Sequence, residues 1–382
     1  MKRLVVEGWK RVNHSFAMVN QNQLLEWAQV PGLELFHREA PPFMQHWSSG
    51  ALAPGFDAGL QRVLDALPEP DGLKANCTFR IAAPIATPKP DQKTVTFVVT
   101  EFGLSEKSFV TPTRDVSAWT RDGNVVVTPS TWSRDRLIDF GFDGDKVKIV
   151  PHGVRTEIFY PMSAAQRTER RAALGYGPED VVFLNVGVAT WNKGIDLLIT
   201  AFATLRRKHK HARLILKDGQ GLYGIGVQPV IQGVIAQHPG LIDDAILKSI
   251  SVISESLNQA QLRELYCVAD HYASPYRAEG FNLPVLEAMA CGTRAMVTAG
   301  GATDDFVCNT LAERIPALPR DARANPQVQG PYLEPDLDAL IERMGAALTR
   351  RERSRPDDSF VNHYASRMGW KPAADLALSY CL

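Results

Sequence analysis

Short runs of β-branched and aliphatic residues alternate with amphipathic stretches along the whole chain. This alternation restricts the fold more than any other feature of the sequence. Strands are predicted at Arg3–Val6, Val95–Val99, Val125–Thr128, Val147–Val150, Val181–Val186, Arg213–Leu216, Ile250–Ile253, His271–Ser274 and Ala295–Thr298. Several hold three or four consecutive apolar residues, as expected of strands covered on both faces. Helices are predicted between them, for example at Ser15–Gln29, Gly194–His209, Asn258–Val268 and Pro284–Ala290. Strand–helix alternation points to α/β architecture with parallel sheets. A length of 382 residues suits two domains, and the boundary is expected near Pro151–Asp180. There is no repeat of solenoid length and no low-complexity tract.

Charge and cysteine usage narrow the function classes. Lys+Arg and Asp+Glu are equal at 42 each, so no basic field marks a nucleic-acid binder. No apolar run reaches the ~18–20 residues of a membrane span. The short apolar start, Leu4-Val5-Val6, is ended too early by Glu7 and Lys10-Arg11 to be a signal peptide, and it reads as a first buried strand. Five scattered cysteines without a CxxC pair fit buried thiols in a reducing cytoplasm, with neither disulfide nor metal site expected.

The densest chemical signal is Ser274-Pro275-Tyr276-Arg277-Ala278-Glu279-Gly280-Phe281-Asn282-Leu283-Pro284-Val285-Leu286-Glu287-Ala288-Met289-Ala290-Cys291-Gly292. A buried strand ends at Ser274 and a loop carries Glu279-Gly280. Pro284 suits the first helical position and Gly292 closes the helix. Free amides of Phe281–Leu283 at the helix start favour a phosphate. Glu279 in the loop and Glu287 on the helix suit the hydroxyls of a sugar or ribose. A capped helix with two ordinary acids explains the carboxylates equally well. Upstream, a strand ends at Gly187, and Lys193 sits just before an amphipathic helix, where an ammonium can meet a diphosphate. A solvated loop lysine is the plain alternative.

Together these segments resemble the GT-B glycosyltransferases, and more narrowly the retaining group known as glycosyltransferases group 1, or family 4. Glu279 and Glu287, within Glu279-Gly280-Phe281 and Leu286-Glu287-Ala288-Met289-Ala290-Cys291-Gly292, match that group's paired-glutamate signature. Lys193-Gly194-Ile195-Asp196 matches its diphosphate-contacting lysine segment. Thr128-Pro129-Ser130 and Val150-Pro151-His152-Gly153-Val154, with Phe159 and Pro161, match the crossing into its second domain. Tyr266 and Ala269-Asp270 precede the signature at the usual place. The resemblance covers residues 124–305 and weakens over 1–120, where acceptors differ.

The resemblance implies two Rossmann-like domains facing across a cleft, with C-terminal helices crossing back. The expected divisions are 1–165 for an acceptor domain, 166–355 for a nucleotide-sugar domain and 356–382 for helices packing on the first. It implies transfer of a sugar from a nucleoside diphosphate to a hydroxyl acceptor, with retention and without a metal or other cofactor. The acceptor class stays open among glycans, lipid-linked glycans and small molecules, and so does peripheral contact with the inner face of a membrane. Lys193 is expected to neutralise the departing diphosphate, Glu279 to stabilise charge near the anomeric carbon, and Glu287 to accept from ribose hydroxyls. Gly280, Phe281, Asn282 and Leu283 would orient sugar and phosphates, with Gly187 and Gly8 lining the donor site. His14 and Glu101 are candidate acceptor contacts, and a structural histidine is the plainer reading of His14.

Three departures from the family pattern stand out. Val188 takes the place of an arginine that shares the diphosphate charge, so Arg277 or Asn192 is a candidate replacement. His152 and Arg155 replace an Asn and an Asp, and are expected as hinge-surface changes. The strand ending Val99-Thr100-Glu101 lacks the family's histidine. Two weaker matches point elsewhere. Gly219-Gln220-Gly221-Leu222-Tyr223-Gly224 satisfies G-x-G-x-x-G, a weak sign of a dinucleotide site, with Asp243 and Asp244 downstream. Asp143-Gly144-Asp145 reads as a surface turn. The rival functions are a nucleotide-sugar epimerase or phosphorylase-like enzyme, a non-catalytic nucleotide-sugar-binding protein, and a nicotinamide dehydrogenase.

Overall fold

The computed structural model describes residues 2–10, 12, 14–42, 55–321, 328, 330–350 and 355–382. Most of the charge run at 350–356 lies outside the described residues. The chain divides into two compact units. One takes the described residues of Met1–Gly153, Ala322–Pro331 and Met368–Leu382, and the other takes Val154–Asp321 and Tyr332–Arg367. This differs from the expected divisions: 154–165 and 356–367 fall in the second unit. Residues 368–382 of the expected C-terminal segment lie in the first.

In the first unit, β1 (Lys2–Gly8), β2 (Leu33–Glu39), β3 (Cys77–Ile81), β4 (Thr94–Phe97), β5 (Val125–Thr128) and β6 (Val147–Ile149) form a parallel sheet. Its order is β2-β1-β3-β4-β5-β6. Leu4, Val5 and Val6 are buried as the sequence predicts. Strands β2 and β3 escape sequence prediction, because both carry charges. In β3, Arg80 is buried and its Nε donates to Glu7 Oε2 at 2.7 Å, while Arg38 takes the other Glu7 oxygen at 2.5 Å. Burial works against the Glu7 carboxylate, but Arg80 and Arg38 outweigh it and hold its pKa below the ordinary value.

The last helix, Trp370–Cys381, packs within this unit, where Trp27 Nε1 donates to the Ala374 carbonyl at 2.9 Å. His152 is buried between the rings of Phe97 and Trp370, at centroid distances of 5.6 and 5.8 Å. Burial pushes its pKa down to about 3, so it is a neutral packing residue. A Cβ on Gly153 would lie 2.5 Å from the Trp370 backbone. Arg155, in the second unit, is also buried, with its guanidinium 2.7 Å from Glu157. The expectation of hinge-surface changes at His152 and Arg155 is therefore corrected: these side chains fill packed space.

In the second unit, β7 (Val181–Val186), β8 (Ala212–Lys217), β9 (Ile250–Ile253), β10 (His271–Ser274), β11 (Arg294–Thr298) and β12 (Ala312–Ile315) form another parallel sheet. Its order is β12-β11-β10-β7-β8-β9. One face is closed by the helix Ile195–Arg206, whose Leu198, Ile199 and Phe202 join Phe183, Leu214 and Leu216 in the core. An antiparallel ribbon of β13 (Ala317–Arg320) and β14 (Tyr332–Pro335) also escapes sequence prediction, because Pro319 and Pro335 lack ladder donors. Helix Asp358–Arg367 belongs to this unit, and its Tyr364 hydroxyl donates to the Phe306 carbonyl at 2.8 Å. All five cysteines are free thiols. Among the described residues, no helix is long and apolar enough to cross a membrane.

Candidate active site

The site lies at the carboxyl ends of β7 and β10, where two loops are zipped together. The Arg277 amide donates to the Asn192 carbonyl at 2.6 Å, and Asn192 Nδ2 returns a bond to the Ala278 carbonyl at 3.1 Å. Between them Gly194 has φ +66°, and a Cβ there would sit 1.9 Å from the Pro275 carbonyl oxygen. Only glycine allows this approach. The close contact sets Lys193 beside Glu279, with Nζ 2.8 Å from Oε1. Both side chains are largely shielded from solvent, at 19% and 10% exposure, where an ion pair is screened less than at the surface.

Downstream of Glu279, Gly280 and Phe281 are buried and Phe281 stacks on Phe306 at 4.7 Å. Asn282 takes a left-handed conformation, φ 77°, and its Nδ2 donates to Ser274 Oγ at 3.0 Å. This bond secures the entry to helix Leu283–Ala290, so Pro284 stands one residue further in than the sequence suggests. Gly292, at φ +76°, closes that helix. One turn in, Glu287 accepts a hydrogen bond from the Tyr266 hydroxyl at 2.8 Å. Burial pushes the Glu287 pKa up to about 7, against the lowering effect of Tyr266. In the sequence Tyr266 stands upstream of the signature without an assigned role, because nothing local links it to Glu287.

The replacement donors suggested for Val188 are otherwise committed. Arg277 makes a two-pronged pair with Asp196, 2.8 Å at each oxygen, and meets Glu334 at 3.1 Å. Its guanidinium also covers the ring of Trp191. Asn192 holds Ala278. Val188 packs over Gly219, where an added Cβ would lie 2.8 Å from Val188 Cγ2. This contact explains the first glycine of the G-x-G-x-x-G match. The chain then makes one short helix, Gln220–Tyr223, ended by Gly224 at φ +68°. Asp243 caps helix Asp244–Leu247. The match is thus a packed turn without the long helix that a dinucleotide fingerprint opens.

Gly187 ends β7, its amide bonded to the Lys217 carbonyl at 3.0 Å. Lys193, Glu279, Glu287, Gly187 and the 280–283 segment are therefore gathered in the second unit. Gly8, His14 and Glu101 lie in the first. Gly8 ends β1, and a Cβ there would meet Asn20 and Ile81 at 2.8 Å, so packing alone requires glycine. His14 caps helix Ser15–Trp27 by accepting from the Phe16 amide at 3.0 Å, and burial lowers its pKa to about 4. Glu101 is half-buried in the loop after β4, and its carbonyl accepts from Trp132 Nε1 at 2.7 Å. Asp143 and Asp145 form a capped turn before β6. Among the described residues, no group of three or more His, Cys, Asp or Glu is placed to hold a metal ion.

Comparison with known proteins agrees with this geometry. Residues 166–312 match the family model described as Glycosyl transferases group 1. Mannosylfructose-phosphate synthase of Agrobacterium fabrum is 30% identical over 47% of this chain and 39% of its own length. D-inositol 3-phosphate glycosyltransferase of Segniliparus rotundus is 27% identical over 63% of this chain and 48% of its own. The chain thus spans less than half the length of these curated relatives. Among solved structures, Anabaena HepE in complex with UDP and glucose is similar at a TM-score of 0.66 and 14% identity, covering 99% of this chain and 98% of that one. Sucrose-phosphate synthase of Thermosynechococcus elongatus is similar at 0.66 and 15%, covering 100% and 98%. The two parallel six-stranded sheets give the chain the GT-B fold, and residues 166–312, which carry the paired glutamates, match the model of glycosyl transferases group 1.

Proposed function

We propose that the chain moves a sugar from a nucleoside-diphosphate donor to a hydroxyl acceptor. The observation that carries this reading is the Lys193–Glu279 pair, 2.8 Å apart beside the start of helix Leu283–Ala290. As the bond from the anomeric carbon to the diphosphate oxygen breaks, negative charge grows on the phosphates and positive charge on the carbon. Lys193 and the helix-start amides face the first, and the Glu279 carboxylate faces the second. An acceptor oxygen then bonds to the anomeric carbon, and its proton passes to the departing diphosphate oxygen. Glu287, oriented by Tyr266, accepts from the ribose hydroxyls. Retention rests on the resemblance to the retaining group.

Two solved structures of this fold hold UDP or UDP-glucose, which supports a nucleotide-sugar donor here. The ammonium of Lys193 and the helix dipole supply positive charge from the protein itself, so the reaction is proposed to need no metal. The acceptor is a hydroxyl compound, with His14 and Glu101 as its proposed contacts. The test is a thermal-shift screen of nucleotide sugars followed by an acceptor-dependent assay for free nucleoside diphosphate. Stabilisation by one nucleotide sugar, and diphosphate release that requires an acceptor, are expected. A product anomer matching the donor's, read by NMR, would establish retention. Donor binding without turnover over a broad acceptor panel would overturn the reading.

A further inference from the structure

Lys193 is paired with Glu279, and Glu287 adds a second acid. A nucleoside diphosphate brings further negative charge, so phosphate binding asks for more positive charge than Lys193 and amide dipoles provide. Arg277 is held by Asp196 and Glu334, and position 188 is a valine packed on Gly219.

A further cation at this edge of the sheet is on β8. Leu214 and Leu216 point into the core with Phe183, so by strand alternation Ile215 and Lys217 face the opposite side. Lys217 is the register partner of Val186, and its carbonyl receives the Gly187 amide. Neighbouring strands lie about 4.8 Å apart, within reach of a lysine side chain. On the same face the Tyr272 hydroxyl donates to the Val186 carbonyl at 3.0 Å, and burial, with smaller contributions from Glu279 and Glu287, raises its pKa. Lys217 therefore stands one strand from the residues that frame the donor site.

Its ammonium is half-buried and, among the described residues, donates to the Asp218 carbonyl. The carboxylate of Asp218 is occupied elsewhere, accepting from the Gln220 and Val227 amides and the Ser254 hydroxyl at 3.0–3.1 Å. Burial lowers the Lys217 pKa, opposed by Asp218 and Glu255. A half-buried ammonium held by a carbonyl rather than a carboxylate is an unfavourable arrangement for stability alone. A phosphate ligand would complete it.

We propose that Lys217 is the second cation of the donor site, contacting the phosphates of the nucleoside diphosphate in the role left open at Val188. This rests on the donor reading above, and the experiment separates the two. UDP, GDP and ADP are titrated calorimetrically into the wild type, and the nucleotide that binds is compared with its free nucleoside on Lys217→Met, Lys217→Gln and Lys217→Arg. Thermal unfolding checks each fold.

Lys217→Met and Lys217→Gln should weaken the diphosphate by about tenfold, the scale of one lost charge-assisted contact. Nucleoside binding should stay unchanged, and Lys217→Arg should restore most of the diphosphate affinity. The salt dependence of diphosphate binding should be shallower in the Met variant than in the wild type. Unchanged diphosphate affinity in folded Met and Gln variants would overturn the proposal while leaving the donor reading intact. So would an equal loss for the free nucleoside, which would mark a purely structural role. A wild type that binds none of the three nucleotides would overturn both.

Discussion

The ammonium of Lys193 lies 2.8 Å from a carboxylate oxygen of Glu279, although the two residues belong to different βα units. The pair exists because Gly194 lets its backbone approach Pro275, which locks the two loops. In the proposed reaction a bound diphosphate would compete for the same ammonium, and the ion pair would hold Lys193 in place beforehand.

Glu279→Ala should lower turnover by more than about tenfold, because a charge-stabilising contact is lost in the transition state. Steady-state kinetics on a variant with near-normal thermal unfolding checks this. Turnover within twofold of wild type would remove Glu279 from the chemistry.

Gly194→Ala should both destabilise the protein and weaken donor binding. The left-handed backbone alone costs about 1–3 kcal/mol for a non-glycine residue, and the new Cβ would meet the Pro275 carbonyl at 1.9 Å. A lowered melting temperature together with a raised donor Kd is expected. A lowered melting temperature with unchanged donor affinity would show that the loop contact does not position Lys193.

Donor affinity should depend on pH through Glu287. Its pKa is about 7 in the folded protein against an ordinary 4.5. A pKa raised on folding stabilises the protein fully below the unfolded value, and that contribution is lost as pH rises from 4.5 through 7. Ribose hydroxyls donating to the carboxylate favour its ionised form. Donor affinity should therefore rise between about pH 6 and 8, and binding near pH 7 should release a proton. Glu287→Gln should melt higher than wild type at about pH 8 while binding donor less tightly and without this pH dependence. Calorimetry in buffers of different ionisation enthalpy measures the proton, and a flat wild-type profile would contradict the assignment.

Gly219→Ala should destabilise by about 1–3 kcal/mol through overpacking, because its Cβ would lie 2.8 Å from Val188 and 3.0 Å from Tyr223. Val188→Ala in the same chain should recover part of the loss. Denaturant unfolding of the two single variants and the double variant gives the coupling. Additive effects would mean that Val188 does not occupy the space above Gly219.

Turnover should survive a chelator, since Lys193, Lys217 and the start of helix Leu283–Ala290 are the proposed sources of positive charge for the leaving diphosphate. Loss of turnover with EDTA, reversed by magnesium or manganese, would add a metal to the mechanism.

The sequence alone determined the strand–helix order and the second unit's loop-and-helix signature. Strands such as Val181–Val186 declare themselves because burial on both faces demands a largely apolar run, here Val181-Val182-Phe183-Leu184. The turn at Gly292 and the helix after Asn282 are likewise local chemistry. The charged strand β3 was illegible: Arg80 is stable inside it only because Glu7 stands beside it on β1. The tertiary structure alone decided which charges meet. Arg277 and Glu279 are two residues apart, yet one turns to Asp196 and Glu334 and the other to Lys193. It also buried His152 between Phe97 and Trp370, and set Val188 on Gly219. Such pairings depend on strand register and on contacts between segments far apart in the chain. No local pattern of residue types encodes them, since the energy of a buried charge is set by whatever the fold places next to it.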